Sequence, residues 1–392
     1  MEKINFKGGA LTLSRIQSVD ELRSIAHDWD QLWLKSEVCL PRSRATLLAQ
    51  WLEFFSYANN FKAVMVEQSG RMVAALPLII KPFKGFLTIG SLATSHAVHG
   101  GDFLLDPDCD IPAVIDLMIS DLARSSFSFI SFEGVAYMET RWQELLKGMS
   151  RARILAHVAE EYMVGRVFIN GDWSSYEKKL SKKHRYNRRR EARMLANEGE
   201  TRFVVLSEFS TTQVEPYLLL GFEVENRSWK GARGTSVLKT PGLSDFLSKE
   251  ASFLAKQGQI KLAFLEHKGE PIAFIYVWYS KGTHFTAKVG YDQDYKKFGP
   301  GQQLMMHFIR YLHELPQPQV LDFCGPLAPW SEGWSTETYP MGRIFCSTDH
   351  FTSRLYFKLN FNLKPRLLNF LKPLRFKRTP TRKEHQKPSS PH

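Results

Sequence analysis

Two stretches of this chain repeat each other at long range, and the repeat limits the fold more than any other feature. Glu67, Gly70 and Ala74 return 199 residues later as Glu266, Gly269 and Ala273, while Phe132 and Gly134 return 191 residues later as Phe323 and Gly325. The expected order of strands and helices around the two sets is also the same. That implies two copies of one α/β lobe, not a solenoid. The length agrees, because 392 residues are too many for one small core and suit two domains of ordinary size. With 43% hydrophobic and 23% charged residues the chain is globular. In the first copy, residues 10–16 read as a strand, and a helix follows the Ser18 cap with Ile25, Trp29, Leu32 and Trp33 as its apolar stripe. A second helix is expected over about 47–57, a hairpin over 63–67 and 71–80, a helix over 111–123 and a buried strand over 127–133.

The copies differ where an anion could bind. Residues 272–279 and 283–291 read as strands joined by a turn at 280–282. A polar loop then leads to Gly299-Pro300-Gly301 and an amphipathic helix opened by Gln302 and Gln303, with Leu304, Met305, Phe308 and Ile309 at helical spacing. Amides at a helix start are unpaired, point outward and carry the positive end of the helix dipole, and glycine lets an anion approach them. At the corresponding place the first copy has Leu105-Asp106-Pro107-Asp108-Cys109-Asp110. Those carboxylates suit a helix dipole but repel phosphate. Only the second lobe is expected to hold an anionic cofactor.

Gly290-Tyr291-Asp292, six residues, and then Gly299-Pro300-Gly301 before a helix resemble the acyl-coenzyme A half of GNAT-superfamily acyltransferases. Three further sets narrow the resemblance: Leu180 with Arg185-Tyr186-Asn187-Arg188-Arg189, Glu225 with Ser228-Trp229-Lys230-Gly231, and Asp322-Phe323 ahead of Gly325. They are similar to the two-lobed branch of Fem-type peptidyltransferases and of cellulose-biosynthesis (CelD-type) and exopolysaccharide acetyltransferases. The resemblance covers most of residues 1–363 and is strongest over 176–325. Two departures stand out. The pyrophosphate loop is reduced to Gly299 and Gly301, without the usual basic or Gln residue and second glycine pair. Pro329-Trp330-Ser331-Glu332 stands where a Tyr-Lys pair often follows the Asp-Phe strand, so no role of such a lysine carries over.

The resemblance implies an α/β fold of two tandem GNAT-like lobes with mixed sheets. Residues 1–165 would be a lobe without a cofactor loop, 166–363 an acyl-coenzyme A-binding lobe, and 364–392 a basic, proline-rich tail. It implies transfer of an acyl group, acetyl foremost, from acyl-coenzyme A to an amine or hydroxyl on a small molecule, saccharide or peptide precursor, in cell-envelope or exopolysaccharide synthesis. The thioester would lie along 283–291, with an amide near Val289 or Gly290 on its carbonyl and the pyrophosphate against Gly299, Gly301, Gln302 and Gln303. Glu225 and Asp292 are the candidate bases, and Tyr291 the acid that returns a proton to the thiolate. Arg185, Arg189, Trp229, Lys230 and Asp322 are candidate substrate contacts, and no metal is called for. Two other classes stay open: a peptidyltransferase using aminoacyl-tRNA, and a non-catalytic binding module.

A helix expected over 176–196 carries nine Lys/Arg, with Lys182, Arg185, Arg189 and Arg193 on one side. It reads either as a solvated face or as a phosphate-contacting one, and the phosphates could belong to coenzyme, nucleotide-linked sugar or tRNA. The formal charge of +12 does not argue for nucleic acid by itself. From residue 364 on, nine Lys/Arg face the single Glu384, a net +8, which leaves +4 for the other 363 residues. In that tail Leu367, Leu368, Phe370 and Leu371 interleave with basic residues, so it reads as a solubilising end or as a segment lying on an anionic membrane surface. Four scattered cysteines lack metal-ligand spacing and read as reduced thiols. No segment resembles a signal peptide or approaches the ~20 apolar residues of a membrane helix. The expected location is the cytoplasm, with peripheral contact at the inner face of the membrane left open.

Overall fold

The repeated residues build matching hairpins. Ser69 (φ 52°) with Gly70 (φ 78°), and Lys268 (φ 53°) with Gly269 (φ 85°), take the left-handed conformations of a two-residue hairpin turn. Both hairpins also shift register at the same place, after Val66 in one and after Leu265 in the other. The computed structural model describes residues 2–5, 11–85, 87–93, 101–209 and 213–363, so the tail expected from 364 onward lies outside the described residues.

Among the described residues the strands form one continuous 14-stranded mixed sheet. They are β1 (Glu2–Asn5), β2 (Leu11–Ile16), β3 (Phe61–Gln68), β4 (Arg71–Phe83), β5 (Leu87–Leu92), β6 (Leu104–Leu105), β7 (Phe129–Val135), β8 (Ala156–Ile169), β9 (Thr201–Leu206), β10 (Ile260–His267), β11 (Glu270–Ser280), β12 (Thr283–Tyr291), β13 (Gln319–Pro326) and β14 (Glu337–Ser347). The order is β1-β2-β3-β4-β5-β7-β14-β8-β13-β12-β11-β10-β9, with β6 beside β4. Each lobe is an antiparallel run closed by one parallel pair, β5 with β7 and β12 with β13. The final strands then change sides. β14, from the second lobe, pairs with β7 of the first, and β8 pairs with β13 of the second. The expected boundary at 165/166 therefore falls inside β8, a strand that both lobes use.

Other expectations shift for local reasons. The single basic helix over 176–196 is two, Trp173–Lys179 and Lys182–Glu198, because the Ser181 hydroxyl caps the second by accepting from the His184 amide. Residues 223–234, which read as a loop from their lack of periodicity, are mostly helical: Val214–Asn226 carries Glu225, and Trp229–Ala232 follows. The helix opened by the glycine loop begins at Pro300, one turn-fixing residue after Gly299, and runs to His313.

One face of the sheet is covered by helices of both lobes. Ala26–Lys35, Ala45–Phe54, Val214–Asn226 and Leu243–Ala255 share a core in which Trp29, Trp51, Phe222, Phe246 and Trp278 meet. The opposite face holds two separate cores, one under helix Ile111–Ala123 and one under helix Pro300–His313. Polar contacts tie the lobes across the shared side. Arg42 pairs with the buried Glu250, which also accepts from Trp278 Nε1 at 3.1 Å. Lys281, on the tight turn after β11, donates to the carbonyls of Trp33, Ser36 and Val38 and so closes the C-terminal end of helix Ala26–Lys35.

Glu250→Gln would leave the Arg42 guanidinium buried without its counter-charge. The expected loss is about 3–5 kcal/mol in urea unfolding. Unfolding should remain a single transition, since both lobes share the core; two resolved transitions would contradict that packing.

Candidate active site

The site is made by strands that stop pairing. β12 and β13 pair only at Thr283–Phe285 with Val320–Asp322. The Thr286 hydroxyl then donates to the Asp322 carbonyl at 3.2 Å, and beyond that link the strands part. Two irregularities drive them apart. Ala287 is an extra residue between the pairs Tyr276–Lys288 and Val277–Thr286, and β13 loses register with β8 between Asp322 and Pro326, with Cys324 at φ 57°. A cavity lies on each face of the sheet beside the gap. Val289 and Tyr291 pack with Leu304 and Met305 on one face, whereas Phe285 and Ala287 join the shared core on the other.

The first cavity, about 380 Å³, is bounded by the end of β12, by residues 299–302 and by Ser228–Lys230 and Trp330. Gly299 sits at φ 59°, and a Cβ there would overlap the Glu191 carboxylate of the basic helix, so conformation and space both require glycine. Its carbonyl accepts from the amides of Gln302 and Gln303 at 3.0 Å, while the Gly301 N–H has no partner among the described residues. A Cβ at Gly301 would lie 3.3 Å from the Tyr291 ring, which forms the opposite wall. Free amide, helix dipole and glycine suit a phosphate group, as coenzyme A carries. The equivalent helix in the first lobe, Ile111–Ala123, has its start blocked: Asp110 accepts from the Ala113 amide, and the buried Asp106 pairs with Arg71 at 3.0 Å.

The sequence candidates separate on inspection of their partners. Gln302 reaches Trp330 and Trp334 and lines this cavity; Gln303 does not, because its side chain is buried and donates to the Phe298 carbonyl at 2.7 Å. Asp292 is held by Arg227 at 2.6 Å and by the Asp294 amide at 3.0 Å, and it lines neither cavity. Glu225 is buried beneath β12, its Cα 2.6 Å from where a Gly290 Cβ would be. One of its oxygens accepts from Lys230 Nζ at 2.8 Å and the other from the Val237 amide at 2.9 Å. Lys230 Nζ also donates to the Val289 carbonyl at 2.7 Å. Because the Asp292 amide points to β11, alternation turns the Val289 N–H and C=O to the open edge, where Lys230 donates to the C=O. Trp229 is half exposed at the cavity rim beneath Arg233. Arg185 and Arg189 line neither cavity; Arg189 is exposed and pairs with Glu177 at 3.2 Å.

The second cavity, about 430 Å³, lies between the lobes on the shared-core face. Arg141 borders it, held by Asp102 at 2.6 Å with Glu37 and Glu139 nearby. Asp322 lines it too, accepting from the Tyr339 hydroxyl and the Cys324 amide, both at 2.7 Å. Burial pushes the Asp322 carboxyl above the usual aspartate range in spite of those bonds. The first lobe has Ser131 at the equivalent paired position, so this acid belongs to the second lobe alone.

Lys288 also lines this cavity, and sequence reasoning missed it. Its amine makes no hydrogen bond among the described residues. It lies between two ion pairs that already balance, Glu225–Lys230 and Arg42–Glu250, and desolvation there lowers its pKa below the ordinary lysine value. Lys288 is the one Lys, Arg, Asp or Glu of strand Thr283–Tyr291, and that was the available signal.

Residues 182–332, within the second lobe, match a family model described as acetyltransferase (GNAT) domain. No curated protein matches the chain. Among solved structures, FemX is similar over 92% of this chain and 100% of its own, at 10% identity and a TM-score of 0.56. A conserved protein of unknown function from Bacteroides thetaiotaomicron covers 82% of this chain and 97% of that one, at 12% identity and 0.52. The C-terminal domain of a protein described as a lysylphosphatidylglycerol synthetase from Agrobacterium fabrum covers 89% and 97%, also at 12% and 0.52. At such identities the likeness is one of fold.

Gly299→Ala carries a left-handed backbone cost of about 1–2 kcal/mol and, in addition, the contact with Glu191. Urea unfolding should show a larger loss for Gly299→Ala than for the Gly299→Ala/Glu191→Ala pair measured against Glu191→Ala alone. Equal losses would mean that the basic helix does not press on this loop.

Proposed function

We propose that this protein transfers an acyl group, acetyl in the first instance, from acyl-coenzyme A to an amine or hydroxyl held between the lobes. The observation that carries the reading is the pair of cavities on opposite faces of the sheet, meeting where β12 and β13 part. One has the free amide and helix start that suit a pyrophosphate, and the other has an amine and a carboxyl that can handle a proton. Bound acyl-coenzyme A would supply a thioester carbonyl open to attack. The Val289 N–H and the Lys230 ammonium, both at the open edge of β12, would polarise it. Glu225 then acts as a positioning residue that fixes Lys230. Lys288, on the acceptor side and with its pKa lowered by burial, takes the proton of the attacking group when in its neutral form, and Asp322 with Tyr339 orients that group. Tyr291 stays the candidate to return a proton to the departing thiolate. The resemblance to the cellulose-biosynthesis branch favours a saccharide or cell-envelope precursor as acceptor.

One observation supports the competing aminoacyl-tRNA reading. Lys182, Lys183, Arg189, Arg190 and Arg193 are all exposed along helix Lys182–Glu198. Gly301→Asp separates the two. It sets a carboxylate beside the free amide, and calorimetry should show acetyl-coenzyme A binding weakened by roughly tenfold or more with the fold retained. Unchanged binding would remove this loop from the site, and salt-steep retention of bulk tRNA without coenzyme binding would favour the tRNA reading.

Lys288 must be neutral to accept a proton. Turnover should therefore rise with pH and level off below 10.5, the ordinary lysine value from which burial lowers it. Coenzyme A release should fall by roughly 10²–10⁴-fold in Lys288→Met, with that rise abolished. Full activity in Lys288→Arg, whose guanidinium stays protonated, would contradict the role.

A further inference from the structure

The last described helical segment presents an apolar stripe to solvent. Phe351 is 78% exposed, Leu355 45% and Leu359 47%. Steps of four put them on one side of the consecutive helical turns Phe351–Phe357 and Lys358–Leu363. The segment is firmly seated by its other side. Phe357 is buried and lies 6.1 Å from Phe345 and 4.7 Å from Phe361, and Tyr356 meets Phe129 at 4.9 Å. The stripe is thus an outward face of an anchored element. Basic residues flank it: Lys358 and Arg354 are exposed, the latter paired with Asp349 at 2.7 Å.

The sequence supplies a complementary charge. The 29 residues after Leu363 hold nine Lys/Arg and one acid, with six large apolar residues among positions 367–376. A helix face with apolar residues and flanking bases suits the boundary between headgroups and acyl chains. Each basic residue near an anionic surface adds to the attraction, which salt screens. Stable attachment generally requires two signals acting together, here an apolar stripe and a polybasic stretch. A plain solubilising tail would not call for a bare apolar face at its root.

We propose that Phe351, Leu355 and Leu359, with the basic residues that follow, dock the protein on an anionic lipid bilayer. This is independent of the acyl-transfer reading. The test is sedimentation of the full chain with vesicles of phosphatidylcholine containing phosphatidylglycerol, beside vesicles of phosphatidylcholine alone. Binding should occur only with the anionic vesicles and weaken as salt rises. Replacing Phe351, Leu355 and Leu359 by Gln should weaken it by roughly tenfold or more. Thermal stability should not change, since these side chains are exposed. Truncation after Leu363 should likewise abolish sedimentation. The proposal is overturned if anionic vesicles do not bind the protein, or if the triple Gln variant binds them as well as the wild type. It is also overturned if vesicle binding is absent while the variant loses a dimer, or while truncation uncovers dye-binding apolar surface. The stripe would then be covered by a second copy or by the chain's own tail.

Discussion

Three pairs of residues hold β12 to β13, and both cavities beside the gap depend on their not continuing. Parallel strands need a long crossover, and here the crossover is helix Pro300–His313, which must begin beside the end of β12. That geometry delivers the unpaired helix start to the place where β12 runs on with its β13 side open. The bulge at Ala287 turns Val289 towards the helix side and Lys288 towards the lobe interface. One strand thus serves both cavities, one residue apart.

The gap persists because the surrounding structure is closed. β8 and β14 run side by side through the middle of the sheet, so neither lobe can swing away without breaking strand pairing. The shared core and the Arg42–Glu250 pair fix the interface from the other side. A buried ion pair is weak evidence for net stability, because desolvation offsets attraction. Beside Trp278 and the inter-lobe cavity it has a positional role: it keeps the wall of that cavity at one distance from β12.

Local features of this fold were legible in the sequence, and the features made by distant pairing were not. Turn residues and periodicity located helix Ile111–Ala123 and strand Thr283–Tyr291 at their observed limits, and the repeat announced the two matching hairpins. The exchange of β8 and β14 left no local mark, so the domain boundary was drawn through a strand. Residues 223–234 show little periodicity and read as a loop, whereas the helix that carries Glu225 buries Val214, Leu218, Phe222 and Val224 along its length. Asp292 and Gln303 were drawn from the resemblance, which cannot reveal that Arg227 and the Phe298 carbonyl already hold them. Lys288 was hidden by the bulge, since strict alternation gives no reason to expect a lysine facing a cavity there.

In the proposed reaction, donor and acceptor meet through the sheet, from opposite faces. A crystal structure with a non-hydrolysable acetyl-coenzyme A analogue tests this most directly. The account predicts pyrophosphate density at the Gly301 amide, the pantetheine arm along β12 beside Trp229 and Tyr291, and the acyl carbonyl at the open edge by Val289 and Lys230. Density for the analogue lying within the inter-lobe cavity, with the Gly299–Gln302 turn empty, would contradict it.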